Sequence, residues 1–258
     1  DSGSQRLSLV PHADASVPAP TADKPLLDQI KQPVDWFSWG ADERLRIEYF
    51  DNAITLNGNA RGHEWDFFRY RTRVWASYHP CAEFELGTRL LWEGRHWQQP
   101  SSKPEWQNGQ MTFDNLFAKL KPTNLPLTIT AGRQDIILGD GWLVLEGTPL
   151  DGSTSIYFDA VRSTLALKEM HTTVDAIFIQ QYSSPDIWLP TVGDTDAAQI
   201  EQNERGAILY ATNKSLPNTQ IDGYFIYKHD EKVLANGDQG DIFTFGTRIA
   251  PQFTDNLA

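Results

Sequence analysis

The sequence predicts an all-β protein, and within that class a transmembrane antiparallel β-barrel of the up-and-down type. Apolar and polar residues alternate with a period of two through long stretches, as side chains do on a strand with two different faces. The chain contains 9 Trp, 13 Phe and 8 Tyr, which suits the aromatic girdles of a barrel at the membrane interfaces. No apolar run reaches about 18 residues, so the sequence predicts no transmembrane helix.

The stretch 65–97 carries the alternation most clearly and predicts a β-hairpin with its break at Pro80 and Cys81. The even-numbered positions of its first strand are mainly apolar or aromatic. The odd-numbered positions include three arginines in a row: Arg69, Arg71 and Arg73. A long strand with one apolar and one polar face is typical of a barrel wall. A long amphipathic hairpin of a soluble β-protein is the alternative that this stretch leaves open.

The charge and the cysteine content exclude several kinds of protein. The net charge of −12 argues against a nucleic-acid partner, and the single Cys81 excludes an internal disulfide and a cysteine metal cluster. Residues 1–35 are rich in Pro, Ser and Ala and predict a flexible periplasmic lead, like the start of a mature chain after signal removal. Residues 36–258 then form the barrel domain.

Eight further strands are predicted around the hairpin. Their expected bounds are Arg44–Leu56 before it, and Thr112–Lys121, Leu127–Ile137, Tyr157–Lys168, Thr173–Gln181, Gly206–Thr212, Gln220–Lys228 and Asp241–Ala250 after it. The connections alternate strictly between long and short, which is typical of long extracellular loops and short periplasmic turns. Residues 255–258 are predicted to begin an eleventh strand. An open sheet in lipid would leave backbone groups unpaired, so we expect the chain to be the N-terminal part of a larger barrel. A closed ten-stranded barrel with a short tail is the alternative.

Basic residues gather on the predicted polar faces of the strands. They are Arg44, Arg46, Arg69, Arg71, Arg73, Arg89, Arg95, Lys119, Lys121, Arg162, Lys168 and Arg248. The same faces carry four acids: Glu48, Glu83, Glu85 and Glu93. Guanidinium groups bind carboxylates in bidentate geometry, and a basic ring in a pore selects anions. We therefore expect about half of the arginines to pair with acids across strands and half to bind an anionic solute.

No motif for catalysis or for a cofactor stands out in the sequence. Glu83 and Glu85 lie about 7 Å apart on one strand face, the separation of an inverting carboxylate pair, although acids on one polar face are usually structural. The histidines at predicted strand ends and loops lack metal-ligand spacing: His79, His96, His171 and His229. The sequence therefore predicts a protein that is not an enzyme and that holds no metal or cofactor.

Three motifs resemble the alginate export family of outer-membrane β-barrels. They are GRQDIILGDGWLVL at 132–145, FDAVR at Phe158–Arg162 and FRYRTR at Phe68–Arg73, with Ala160 where a Gly is usual in the family. The resemblance covers about residues 40–250 and implies a monomeric barrel of about eighteen strands in the bacterial outer membrane. It implies an arginine-rich lumen that passes an anionic polysaccharide such as alginate or its oligomers. The implied partners are outer-membrane lipid and periplasmic export or scaffold proteins.

Arg133, in the first of these motifs, is also a predicted lumen residue, although strict alternation places it on the lipid face beside Ala131. A charge on that face is costly away from the interface. We therefore predict either a bulge near Gly132 that turns Arg133 inward, or a position near the rim. Asp135 and Asp140 follow, and they either bind a cation at the rim or stabilise a turn.

The leading prediction is thus an outer-membrane channel for an anionic solute. The alternative is a soluble, secreted β-sheet protein that binds or cleaves carbohydrate, because an aromatic-rich chain would also suit sugar binding. Solubility without detergent would distinguish the second from the first.

Overall fold

The computed structural model describes residues 25–52, 56–60, 62–144, 157–183, 189–193, 200, 202–233, 235, 237 and 239–252. Its strands are β1 (Phe37–Asp51), β2 (Glu64–Cys81), β3 (Phe84–Gln99), β4 (Trp106–Leu120), β5 (Leu127–Gln134), β6 (Phe158–Leu167), β7 (Thr172–Gln181), β8 (Gln202–Asn213), β9 (Thr219–Lys232) and β10 (Gly240–Pro251). A short helix, α1 (Leu26–Lys31), precedes them, and two 3-10 turns lie at Gly139–Gly141 and Lys168–Met170.

The ten strands form a single antiparallel sheet in which each strand pairs with its neighbours in the sequence. This order confirms the predicted all-β, antiparallel fold, and the described residues contain the ten strands that were predicted. Among the described residues no pairing joins β1 to β10, so the sheet is not closed and these two strands are its edges.

β1 and β4 begin earlier than predicted, because cross-strand partners extend them beyond their clearly alternating segments. Residues 37–43 pair with the end of β2 in unbroken register. β4 begins six residues before its predicted start at Thr112, at Trp106, which pairs with His96 on β3. The connections 100–105 and 121–126 are therefore equally long, and the predicted strict alternation of long and short connections is wrong at this place.

The hairpin turn between β2 and β3 also differs from the prediction. It consists of Ala82 and Glu83 rather than Pro80 and Cys81, and Cys81 pairs with Phe84 after a register shift. The assignment of faces is unaffected, because the even-numbered residues of β2 from Phe68 to Tyr78 still lie opposite even-numbered residues of β3.

The predicted flexible lead is described only from residue 25 onwards. Within it α1 forms, and the Trp39 indole Nε1 on β1 donates a hydrogen bond of 2.8 Å to the Ile30 carbonyl. This bond ties the helix to the first strand. Residues 1–24 of the lead, residues 53–55 and the predicted eleventh strand at 255–258 lie outside the described residues.

The two faces of the sheet differ in polarity, as the alternation predicts. One face, here called the outer face, exposes large apolar side chains from β1 to β10. They are Leu45, Ile47, Tyr49, Val74, Tyr78, Leu86, Leu120, Val161, Phe178, Leu209, Phe225, Phe243, Phe245 and Ile249. The opposite face, here called the inner face, carries buried charged residues such as Arg71, Asp175 and Asp222.

Residues 135–144, here called the inner strap, leave β5 and pack against the inner face of β6, β7 and β8. Ile136 and Leu138 of the strap are 0% and 5% exposed. They form one apolar cluster with inner-face residues of these strands: Ala160, Ile177, Ile179, Ile208 and Tyr210. β5 therefore ends at Gln134 and not at Ile137 as predicted, because the residues that follow bury their side chains against the sheet instead of extending it.

Candidate functional site

The inner face of β1, β2 and β3 places arginines directly opposite one another. Arg44 pairs with Arg71 and Arg46 with Arg69 across β1 and β2, and Arg69 pairs with Arg95 across β2 and β3. We call these five residues the arginine cluster. Like charges in directly opposed positions destabilise a sheet, so such a cluster needs negative charge nearby.

Acids supply only part of that negative charge within these three strands. The inner-face positions of β1–β3 hold seven arginines and four acids. Glu48 lies 3.1 Å from Arg69 and 3.7 Å from Arg46, and Glu93 lies 3.2 Å from Arg95. The region therefore has a positive excess, and a bound anion would relieve it.

Two members of the arginine cluster, Arg46 and Arg95, have side chains that are partly exposed and accessible to a solute. The side chains of Arg46 and Arg95 are 34% and 28% exposed, whereas that of Arg69 is 14% exposed. Arg69 and Arg95 both lie over the Phe67 ring, at 5.5 and 5.6 Å from its centroid. The buried ring holds the two guanidinium groups in place, because a cation is attracted to an aromatic face.

Arg73 and Arg89, two further predicted solute-binding residues, are held by acids. Arg73 donates hydrogen bonds of 2.9 and 3.1 Å from Nε to Asp42, and its side chain is 5% exposed. Arg89 donates from Nε to Asp114 at 2.9 Å and from both terminal nitrogens to Asp135 at 3.0 Å. Both guanidinium groups thus fix neighbouring strands to each other or to the inner strap.

Arg133 lies at the end of β5, where the strand leaves the sheet. Its guanidinium donates to Asp159 through two bonds of 2.9 Å and to the Phe113 carbonyl at 3.0 Å, and it lies 3.7 Å from the Tyr157 ring centroid. The pairing of β5 with its neighbours contains no register shift, so the predicted bulge is absent, although Gly132 has a φ of +118°. Arg133 is 2% exposed and is enclosed by protein, which corrects its assignment as a solute-binding residue.

Lys119, Arg162 and Arg248 lie apart from the arginine cluster, each beside an acid. Lys119 contacts Glu85 at 2.7 Å, and Arg162 contacts Asp175 at 2.8 Å. Arg248 contacts Asp222 at 2.9 Å and also contacts Asp140 of the inner strap. The structure therefore brings together the five arginines of the cluster and places these three basic residues in separate ion pairs.

Sequence reasoning missed several acids that neutralise the inner face. Asp175 on β7 and Asp222 on β9 occupy inward positions of the alternation. They could therefore have been found by listing the acids at every inward position of the predicted strands. Asp114 could not be found in this way, because it lies at a register shift between β3 and β4 where the alternation slips by one residue. Lys228 was missed too, and it lies between Glu204 and Asp230 at 2.9 and 3.0 Å.

Glu83 and Glu85, the candidate inverting pair, have separate structural partners. Glu83 accepts hydrogen bonds from the amide and the hydroxyl of Thr123 at 2.8 and 2.7 Å, which lower the pKa of its carboxyl. A general acid in glycoside hydrolysis needs a raised pKa, so this shift has the wrong direction for that role. Glu85 is held by Lys119.

One group of potential metal ligands occurs among the described residues, at the end of the β1–β2 hairpin. Ligand atoms of Asp51, His63 and Glu64 all lie within 4.8 Å of one another, with His63 Nδ1 at 3.0 Å from Asp51 Oδ1. The loop between β1 and β2 separates these residues in the sequence, which is why ligand spacing gave no signal. Asp135 and Asp140, by contrast, contact Arg89 and Arg248, and these arginines take the place that a cation would occupy.

No protein-family model matches the chain, and no curated protein matches it. Among the described residues, no helix is both long enough and apolar enough to cross a membrane. The resemblance to the alginate export family therefore rests on the three motifs, and it stays a prediction.

Proposed function

We propose that this chain forms the wall of a channel in the bacterial outer membrane that passes an anionic solute. The arginine cluster carries this proposal, since its five arginines lie in opposed positions on one face and outnumber the acids Glu48 and Glu93 that contact them. The motif resemblance favours an acidic polysaccharide such as alginate, or its oligomers, as that solute.

The outer face supports a membrane location. Trp39 and Tyr49 lie on this face of β1, and ten residues of strand separate them, or about 33 Å. With the tilt of barrel strands this length corresponds to an apolar band about 25 Å tall. Leu45 and Ile47 between them are exposed, as lipid contact requires. Glu43 is the one acid on the outer face of β1 between them, and it accepts a hydrogen bond from Thr72 on β2.

Transport through such a channel would be passive. Successive inward positions of β1 place Arg44 and Arg46, both partly exposed, about 7 Å apart along the strand. A carboxylate held by one arginine can move to the next without crossing an uncharged stretch, because binding sites that are weak and closely spaced favour conduction. The ion pairs of Arg46 and Arg95 with Glu48 and Glu93 leave these side chains partly exposed and able to exchange partners.

The decisive experiment measures ion selectivity in planar bilayers. The full-length protein is compared with a double variant, Arg46→Gln and Arg95→Gln, in a gradient of potassium chloride. We expect the reversal potential to lose much of its anion preference. The matched control is Lys119→Gln with Lys228→Gln, which removes the same charge from inner-face residues that acids already neutralise. If the reversal potential shifted equally in both double variants, the effect would come from net charge alone, and a role for the arginine cluster would be contradicted.

The location is tested by fractionation of a Gram-negative host that expresses the full-length gene. We expect the protein in the outer membrane, with a gel mobility that changes on boiling. Recovery of a soluble periplasmic protein would contradict the channel and direct attention to carbohydrate binding.

A further inference from the structure

Arg248 on the inner face of β10 has two acidic partners of very different character. Asp222 on β9 is 0% exposed and lies 2.9 Å from Arg248, so it is a fixed partner inside the sheet. Asp140 belongs to the inner strap, and its side chain is 59% exposed while it contacts the same guanidinium. The second partner is therefore open to solvent, and an exposed ion pair contributes little to stability.

The strap holds Asp140 in this position through its backbone. Gly139, Asp140 and Gly141 have φ values of +62°, +58° and +83°, which turn the chain sharply at this point. Glycine adopts this region freely, whereas a non-glycine residue adopts it at a cost, so Asp140 stands at a position that would favour a third glycine. Asp is one of the few non-glycine residues that adopt this region, and the turn presents its carboxylate to Arg248.

The rest of the strap is anchored independently of Asp140. At its start Asp135 contacts Arg89 and also accepts a hydrogen bond of 2.8 Å from Asn115. Next to this anchor Ile136 and Leu138 are buried against β6–β8. Loss of the Asp140 contact would therefore release the tip of the strap without removing the strap from the sheet.

We infer that Asp140 is an internal carboxylate that occupies Arg248 where a carboxylate of the solute binds, and that a carboxylate-bearing sugar exchanges with it. This inference rests on the proposed function and names the chemical class of the solute at one site. Asp222 neutralises Arg248 in every state, so the exchange leaves no bare buried charge. Trp142, two residues beyond Asp140, is 67% exposed and offers a flat apolar surface beside the same site.

The test uses the full-length protein in planar bilayers with galacturonate as the probe. Wild type, Asp140→Asn and the control Glu169→Gln are compared by the galacturonate concentration that halves the chloride current. Glu169 lies in the exposed turn between β6 and β7, away from the strap. We expect Asp140→Asn to lower the half-blocking concentration about two- to fivefold, the range for loss of an exposed ion-pair partner. Glu169→Gln should match the wild type, and uncharged galactose should affect all three proteins equally.

The outcomes separate this inference from the proposed function. Wild-type channels without anion preference would overturn both. Anion-selective wild-type channels with an unchanged half-blocking concentration in Asp140→Asn would overturn the exchange at Arg248 alone. The exchange would also be overturned if Asp140→Asn lowered the half-blocking concentration of galactose as much as that of galacturonate. The strap would then act as a steric barrier and not as a competing carboxylate.

Discussion

Asp114 and Asp135 bind the same guanidinium from two differently exposed positions, which allows a controlled test of what holds the strap and the sheet together. The Asp114 side chain is 0% exposed and accepts a bond of 2.9 Å from Arg89 Nε. The Asp135 side chain is 26% exposed and accepts hydrogen bonds of 3.0 Å from the two terminal nitrogens of Arg89. Replacement of each acid by Asn removes one charge and keeps the size of the side chain.

The two substitutions should differ clearly in cost. Removal of one partner from a buried ion pair lowers the free energy of unfolding by about 3–5 kcal/mol. Because Asp135 remains to compensate Arg89, we expect a loss of about 3 kcal/mol, at the low end of this range, for Asp114→Asn. Asp135→Asn removes a partly exposed partner and should cost about 1 kcal/mol. The difference of about 2 kcal/mol corresponds to more than a tenfold change in the unfolding equilibrium.

Urea unfolding of the protein in lipid vesicles, followed by tryptophan fluorescence, measures both costs. We expect a lower midpoint for Asp114→Asn at an unchanged slope, because the surface exposed on unfolding stays the same. Equal midpoints for the two variants would refute the reasoning, since burial of Asp114 would then have no energetic weight. A changed slope would show that the variant alters the folded or the unfolded ensemble instead.

Three further predictions concern other parts of the sheet. If the outer face contacts lipid, Phe178→Arg should lower the free energy of unfolding in lipid vesicles by about 2–4 kcal/mol. If that face contacts water, the substitution should have little effect, and the urea midpoint distinguishes the two cases. Gly132→Ala should lower the free energy of unfolding by about 1–3 kcal/mol in the same assay, because the φ of Gly132 is +118° and a Cβ there would lie 2.4 Å from a carbonyl oxygen of β4. The control is Gly223→Ala, since a Cβ at Gly223 would meet no atom within 4 Å. The pKa of Glu83 is lowered by its bonds to Thr123, so its contribution to stability is present above its unfolded pKa and is lost as pH falls through the folded pKa; Glu83→Gln should remove this dependence in an acid titration.

The strand order and the two faces could be predicted from the sequence because each strand obeys one local rule. Leu45 and Ile47 alternate with Arg44 and Arg46, and the alternation alone assigns each residue to a face. Strand ends could not be predicted in the same way, because they depend on a partner. Trp106 belongs to β4 only because β3 extends far enough to pair with it.

The candidate site was predictable in composition but not in arrangement. Parity places Arg44 and Arg71 on one face, yet only the register of β1 against β2 makes them direct neighbours. The partners of Arg89 were hidden for two further reasons. Asp114 lies at a register shift, and Asp135 reaches Arg89 only because the chain turns from β5 onto the inner face.

The inner strap explains why the arginine cluster and the apolar part of the inner face can exist on one sheet. Ile177 and Ile208 project from β7 and β8 onto a face that elsewhere carries ion pairs, and exposure to water would cost each of them about 1.5–3 kcal/mol. Ile136 and Leu138 cover this part of the face. The strap reaches β3 only at its start, through the ion pair of Asp135 with Arg89, and its buried apolar side chains lie over β6–β8. The proposed solute would therefore meet two separate groups of arginines: the cluster on β1–β3, and Arg248 on β10, which the tip of the strap contacts through Asp140.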